Sequence, residues 1–408
     1  MRDHNRLRHQ PGCVWEAAAL VAGTTVGAGI LALPAVTLPA GVIPSSACLI
    51  LIWLYLVTAG LLMAEVQINT LFQLGRADLG LLPMIRRSLG PWGAGLAGAA
   101  YLLNTYGLLT AYLTRGGSLL LQALHLQIWE SWPGAGAALF TLIFGGLLYV
   151  SREKWIERLN TLLVAGVVLA FGVLMAGTLM GLQPEQLLHQ NWQAVGRALP
   201  VMVVALVFHS VVPVITTQLE GDRQQIRQAI VGGSALPLLM FLVWNAVILG
   251  STDPEVWVDI ARGVRFDPLE HLPQMQEWVA LFSEFAIVTS FIGFVYGLQD
   301  FYSDTLQVYW NWCPERHVLF LLSLVPPLLI ALINPHLFFV ALDYAGSLGA
   351  AILFGLIPAL IVWQQRLHAF TGRVPSLVPG GKGTLAAVVT ISGLLISQRL
   401  LSLLHDIS

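Results

Sequence analysis

The chain has 408 residues, 56% hydrophobic and 10% charged, with a net charge of −2. A soluble domain carries roughly 25% charged residues, so this composition excludes an ordinary soluble enzyme and a disordered scaffold. It also lacks the basic footprint of a nucleic-acid binder. Apolar runs close to the ~20 residues that cross a bilayer recur along the whole length, which is the pattern of an all-α polytopic membrane protein.

Residues 1–14 form a polar tail carrying Arg2, Arg6 and Arg8. The apolar run behind it is too long for the core of a cleaved signal and has no convincing cleavage site, so it is expected to persist as a first span. The apolar runs predict eleven spans, at 15–39, 44–67, 92–121, 135–150, 159–182, 199–219, 229–251, 279–302, 317–334, 338–363 and 383–404. Under strict alternation, fifteen of the twenty Lys and Arg residues fall on one side. Only Arg115, Arg197, Arg262, Arg265 and Arg399 fall on the other. Positive residues are retained in the cytoplasm, which predicts the N-terminus inside and, with an odd number of spans, the C-terminus outside. Trp15, Trp92, Trp129, Trp132, Trp155, Trp192, Trp278 and Trp363 lie near span ends, where amphipathic rings prefer the interface. The longest outer loop, 252–276, carries five acidic residues against two arginines and reads as a solvated cap. Cys13, Cys48 and Cys313 share no metal-ligand spacing and differ too much in depth for a structural disulfide. They read as isolated thiols, and neither a metal nor a cofactor is expected.

A helix that only fills the bilayer has no need of clustered glycine and proline. Span one carries Gly23-Thr24-Thr25-Val26-Gly27-Ala28-Gly29, and span six carries Phe208-His209-Ser210-Val211-Val212-Pro213 near its middle. Proline deletes a backbone donor and clashes with the carbonyl four residues back, while glycine lets the chain unwind. Unpaired peptide groups at mid-membrane are tolerated only where protein buries them or they line a cavity. Interruptions at matching positions of two halves point to a transporter built from inverted repeats, with its site at the midplane. The expected repeats are 15–182 and 199–363, with 383–404 an added helix. Gly177-xxx-Gly181 and Gly293-xxx-Gly297 read instead as small-residue packing seams.

At these residues a family resemblance becomes visible. Gly23-Thr24-Thr25-Val26-Gly27-Ala28-Gly29-Ile30-Leu31-Ala32-Leu33-Pro34 resembles the opening signature of the bacterial aromatic amino acid permeases, the tyrosine- and tryptophan-specific carriers. So do Ala111-Tyr112-Leu113 with Gly116-Gly117-Ser118, the Phe208–Pro213 stretch, and Thr289-Ser290-Phe291 followed by Gly297-Leu298-Gln299-Asp300-Phe301. Tyr344-Ala345-Gly346 and Pro358-Ala359 extend the match, in one order, over nearly the whole chain. The resemblance implies the leucine-transporter-like 5+5 inverted-repeat fold of the amino acid–polyamine–organocation superfamily, with an eleventh helix. It also implies secondary import of an aromatic L-amino acid, by proton symport, across a bacterial inner membrane. Two positions depart from the family pattern. Arg115 precedes the paired glycines of span three, where a small residue is usual, and Gln299 stands where an apolar or aromatic residue is usual.

A free amino acid brings a carboxylate, an ammonium group and a side chain. Half-helix N-termini supply unpaired N–H groups and a positive dipole end for the carboxylate. Gly27, Ala28 and Gly29 fit that role, and the resemblance places the latter two at the carboxylate. Half-helix carbonyls suit the ammonium, which points to the backbone oxygens of Thr25 and Phe208, with His209 and Ser210 continuing the second break. Tyr101, Asn104 and Leu108 share one face of span three, either to stack a substrate ring or as plain packing.

Ionisable residues inside spans are costly and are functional candidates by default. They are Glu65, Arg115, His209, Glu284, Asp300 and Asp343. His209 lies at the second break, and imidazole is the side chain that changes charge near neutral pH. It is read either as the proton-coupling group or as a structural histidine. Its replacement by alanine is expected to cost accumulation. Glu65, late in span two, either carries a proton as well or ties helices at the inner side. Glu284 and Asp343 approach the outer mouth, where a pairing of Arg115 with one of them would form a gate. Thr289 and Ser290, with the carbonyls of Gly23 and Val26, offer hard oxygen ligands for sodium, or bond across helices.

The Gly93–Gly98 string matches a dinucleotide fingerprint, but no strand precedes it and it opens a span. The sequence contains no HExxH, GxSxG or Walker motif, so an enzyme or a primary pump is not expected. Two classes remain. One is a secondary carrier, proton-coupled or, alternatively, a sodium-coupled neutral amino acid carrier. The other is a transport-derived sensor that binds without translocating. The expected partners are the amino acid, the coupling ion and membrane lipid, with no nucleic acid. The oligomeric state is not legible.

Overall fold

The computed structural model describes residues 13–27, 29–74, 81–126, 132–252, 275–334, 336–367, 376–379 and 381–407. Ala28, Trp129, the first twelve residues and almost all of the 252–276 cap lie outside them. Among the described residues, eight helices are long and apolar enough to cross a membrane. A ninth span is the pair Val14–Thr25 and Gly29–Thr37, bent by 53°. Leu81–Ala123 and the shorter Ala135–Val150 complete the eleven apolar segments read from the sequence.

Three helices outrun their apolar runs. Span two extends over Val42–Leu74 and span eight over Gln276–Trp310, closing on Asn311 in the left-handed conformation. Span three begins at Leu81, where the sequence reading had a loop up to 91. Residues before the bend carry buried Leu82, Met84 and Ile85 against exposed Arg86 and Arg87, an amphipathic turn too short for the hydropathy scan. Gly90 (φ 73°, ψ −172°) breaks the axis just before Pro91, a conformation that only glycine adopts at little cost.

Span ten is the centre of the molecule. Its apolar window is 78% buried, against 17% for spans five and eleven, which form the periphery. Between Phe338–Tyr344 and Ile357–Leu367 it winds as a π-helix over Ala345–Leu356, a geometry that concentrates at functional positions.

Close packing runs through glycines, including one member of each expected pair: Gly177 lies against the Met275 side chain, and a Cβ on Gly297 would lie 3.4 Å from the Tyr101 hydroxyl. A Cβ on Gly181 or Gly293 would meet nothing within 4 Å, while one on Gly233 would lie 2.5 Å from the Ala18 carbonyl oxygen. Gly117 and Gly136 bring spans three and four into backbone contact, and Gly346 sits against the Pro200 carbonyl. A buried polar triad pins span one to spans two and seven. The Thr37 hydroxyl donates to Asn245 Oδ1 (2.5 Å), and Asn245 Nδ2 donates to Ser45 Oγ (2.9 Å). Its polar atoms satisfy one another, as buried groups require.

Candidate functional site

The first break falls where the sequence places it. The first half of span one ends at Thr25, Val26 is extended (φ −77°, ψ 102°), and the second half starts at Gly29. A carbonyl end and an N–H end, of opposite dipole sign, are thereby left side by side. The Thr25 hydroxyl is used within its own helix, donating to the Val21 carbonyl at 2.7 Å. Its backbone oxygen lies at the carbonyl end of that half-helix. The second break separates Leu199–Ala205 from Val212–Gln218, with a 3-10 turn over His209–Val211 between them. Pro213 sits in the first turn of the second half, where its missing N–H costs nothing.

Glycines show what each break faces. A Cβ on Gly27 would lie 2.5 Å from Ser290 Oγ and 3.6 Å from the Tyr112 hydroxyl, so the first break abuts spans three and eight. Tyr112 packs against Phe294, ring centres 5.9 Å apart. A Cβ on Gly29 would lie 2.6 Å from Ala205 Cα, which joins the two broken spans. On the other side, Gly60 of span two lies under the Phe208 ring. His209 is fully buried and sandwiched between Phe208 and Phe354, at 4.8 and 4.9 Å. The Leu56 backbone faces the imidazole, but neither ring nitrogen closes a hydrogen bond among the described residues.

Several predicted site residues are placed otherwise. Ser210 lies within the second break, in the His209–Val211 turn, with its side chain exposed. Tyr101 donates to the Gly297 carbonyl at 2.9 Å and stacks on Phe301 at 4.3 Å, so its ring is already occupied. Asn104 is buried against Gly349 of the π-helix. The aromatic residue that does face the first break is Tyr112. It lies four residues beyond Leu108 on the same stripe, and following that stripe one more turn would have found it. Of the hydroxyl pair, Ser290 faces Gly27, while Thr289 donates to the Ala286 carbonyl at 3.0 Å.

Glu65 is not a loose proton carrier. Arg366 meets both of its oxygens (3.0 and 3.1 Å), and the Leu377 N–H donates to Oε2 at 3.1 Å. It ties spans two and ten, the helix-tying alternative named from sequence. Nor does the predicted gate form as drawn. Asp343 pairs with Arg399 of span eleven at 2.9 Å, and the Arg399 guanidinium covers the Tyr344 ring. Both carboxyl oxygens of Glu284 lack a hydrogen-bond partner among the described residues. Arg115 lines a cavity of about 520 Å³ with Trp132, His336 and Phe338. Asp343 lines a second cavity, of about 470 Å³, with Arg197 and Arg399. Phe339 borders both. The side chains of the Asp343–Arg399 pair are 24% and 20% exposed. Asp343→Asn is therefore expected to lower stability in denaturant titration by about 1–3 kcal/mol.

The sequence profile of the tryptophan/tyrosine permease family matches residues 10–398. The tyrosine-specific transport system 1 of Haemophilus influenzae is 30% identical over 392 residues, covering 93% of this chain and 94% of that protein. A tryptophan-specific transport protein from the same organism is 29% identical, covering 86% and 87%. Among solved structures, MhsT in complex with L-phenylalanine superposes with a TM-score of 0.56 at 18% identity, covering 97% of this chain and 99% of that one. That likeness fixes the leucine-transporter-like fold.

Proposed function

The chain belongs to the tryptophan/tyrosine permease family, and from that premise we propose that it imports aromatic L-amino acids by proton symport, with its N-terminus in the cytoplasm. It is an integral membrane transport protein rather than an enzyme. The observation that carries the substrate reading is the first break, whose Gly27 abuts Tyr112 and Ser290 beside Phe294. The amino acid carboxylate is assigned to the N–H end that begins at Gly29, together with Gly27 and Ala28. The ammonium is assigned to the carbonyls of Thr25 and Phe208, and the ring to the Tyr112–Phe294 wall. The relatives named for tyrosine and tryptophan transport support an aromatic substrate.

Sodium is the second reading. Ser290 Oγ faces the first break, where the Gly23 and Val26 carbonyls could complete an oxygen site with Thr289. Uptake of labelled tyrosine and tryptophan into proteoliposomes separates these readings. Accumulation is expected to rise as outside pH falls, to collapse with the proton gradient and to need no sodium. Accumulation that follows a sodium gradient at fixed pH would refute symport with protons. Leucine or alanine outcompeting all three aromatic amino acids would refute the substrate class. Binding without accumulation would make the protein a sensor.

A further inference from the structure

Glu284 is an acidic side chain inside a span to which the site described above gives no role. It sits eight residues after the start of span eight at Gln276, about 12 Å along the helix axis. Both its oxygens are sealed from solvent, and neither has a hydrogen-bond partner among the described residues. Glu65 and Asp343 differ, since each meets an arginine. Helical spacing puts Glu284 on one stripe with Ile287 and Phe291. Ile287 touches the position of Gly116 in span three, and Phe291 meets Phe140 of span four edge-on at 5.3 Å. Six residues further along the helix, Ser290 meets the first break. Glu284 thus lies in the seam between spans three, four and eight, between the arginine-poor end and the break.

The elements packed against span eight bring little charge. Span three supplies Arg115 and Tyr112. Span five has no titratable residue between 159 and 182, span nine has none between 318 and 333, and span four has only Tyr149, at its far end. On span eight itself, Glu277 lies at the start, and Asp300 and Asp304 near the opposite end. A bare carboxylate sealed without donors is strongly disfavoured, whereas a protonated carboxyl is tolerated. A carboxyl group that must hold a proton when enclosed, and sheds it when water reaches it, has the property a coupling group needs.

We propose that Glu284 carries the coupling proton, an assignment that rests on the proton-symport reading. The carboxylate takes up one proton from water at the arginine-poor side to become the neutral carboxyl, travels enclosed with the amino acid, and returns that proton to water on the other side. One proton moves per cycle, and no other reactant is consumed.

Glu284→Gln holds the neutral form permanently, and Glu284→Asp keeps a titratable group. With labelled tyrosine and tryptophan in proteoliposomes, Glu284→Gln is expected to lose gradient-driven accumulation by about tenfold or more, because no differential affinity remains to be driven. It should still exchange internal for external substrate, with a flat pH profile. Glu284→Asp is expected to keep pH-dependent accumulation with a displaced profile. Retention by Asp and loss by Gln supports the proposal whether or not the Gln variant exchanges. Wild-type accumulation and pH profile in Glu284→Gln, or loss of exchange in both variants, overturns it. If the unmodified protein follows sodium instead, the symport reading itself fails. If it follows protons and Glu284→Gln does so too, only the Glu284 assignment fails.

Discussion

Gly29→Val is expected to abolish uptake and to lower stability by about 1–3 kcal/mol, the usual cost of overpacking a filled seam. The first added carbon alone would lie 2.6 Å from Ala205 Cα, 2.7 Å from its Cβ and 3.2 Å from its nitrogen. Two of those atoms are backbone, so no rotamer change relieves the overlap. The halves of spans one and six must separate, and with them the two helix ends assigned to the substrate. The matched control is Gly172→Ala in span five, where nothing lies within 4 Å. There a gain of up to about 1 kcal/mol from helix propensity is expected. Denaturant titration of both variants in detergent, with uptake in liposomes, tests the contrast. Wild-type uptake by Gly29→Val would show that the Gly29–Ala205 contact does not hold the site together.

Arg366→Met is expected to cost about 3–5 kcal/mol, the range for a buried ion pair robbed of one member. Glu65 has a side chain only 6% exposed. Without Arg366 its carboxylate keeps a single donor among the described residues, the Leu377 N–H. Glu65→Gln should cost less, since Arg366 is 20% exposed and also donates to the Gly381 carbonyl. The double variant Glu65→Leu/Arg366→Met should recover much of the loss, because an apolar pair of similar volume often replaces a buried ion pair without penalty. Denaturation that is additive across this double-mutant cycle would mean that the pair is not coupled.

The comparison between sequence and structure divides along separation in the chain. The breaks were legible because glycine and proline act locally, through the backbone conformations they permit. The eleven apolar segments were legible because the bilayer sets a length. What could not be read was pairing at a distance. Nothing near Glu65 announces Arg366, 301 positions away, and nothing near Asp343 announces Arg399. The Tyr101 face was identified correctly as a stripe, but whether Tyr101 or Tyr112 meets the break depends on how far span three slides along span eight. Helical periodicity carries no information about that sliding. The loop assigned before residue 92 failed for a different reason, since a short amphipathic helix lying across a glycine bend is too polar for a hydropathy scan to register.

Span ten is anchored at both ends by ion pairs of unequal shelter. Glu65–Arg366 holds it near the arginine-rich face with a nearly enclosed carboxylate, and Asp343–Arg399 holds it near the other face with both partners partly in contact with solvent. Dissolved ions weaken the attraction between exposed charges, with a screening length of about 10 Å at 0.1 M, and leave enclosed ones largely alone. Ionic strength therefore acts on the two anchors differently. Added salt slackens the tie to span eleven while the tie to span two stays taut, which biases the helix to yield first at its arginine-poor end. The medium on that side of the membrane thereby sets part of the stiffness of the span that packs against both the second break and span three.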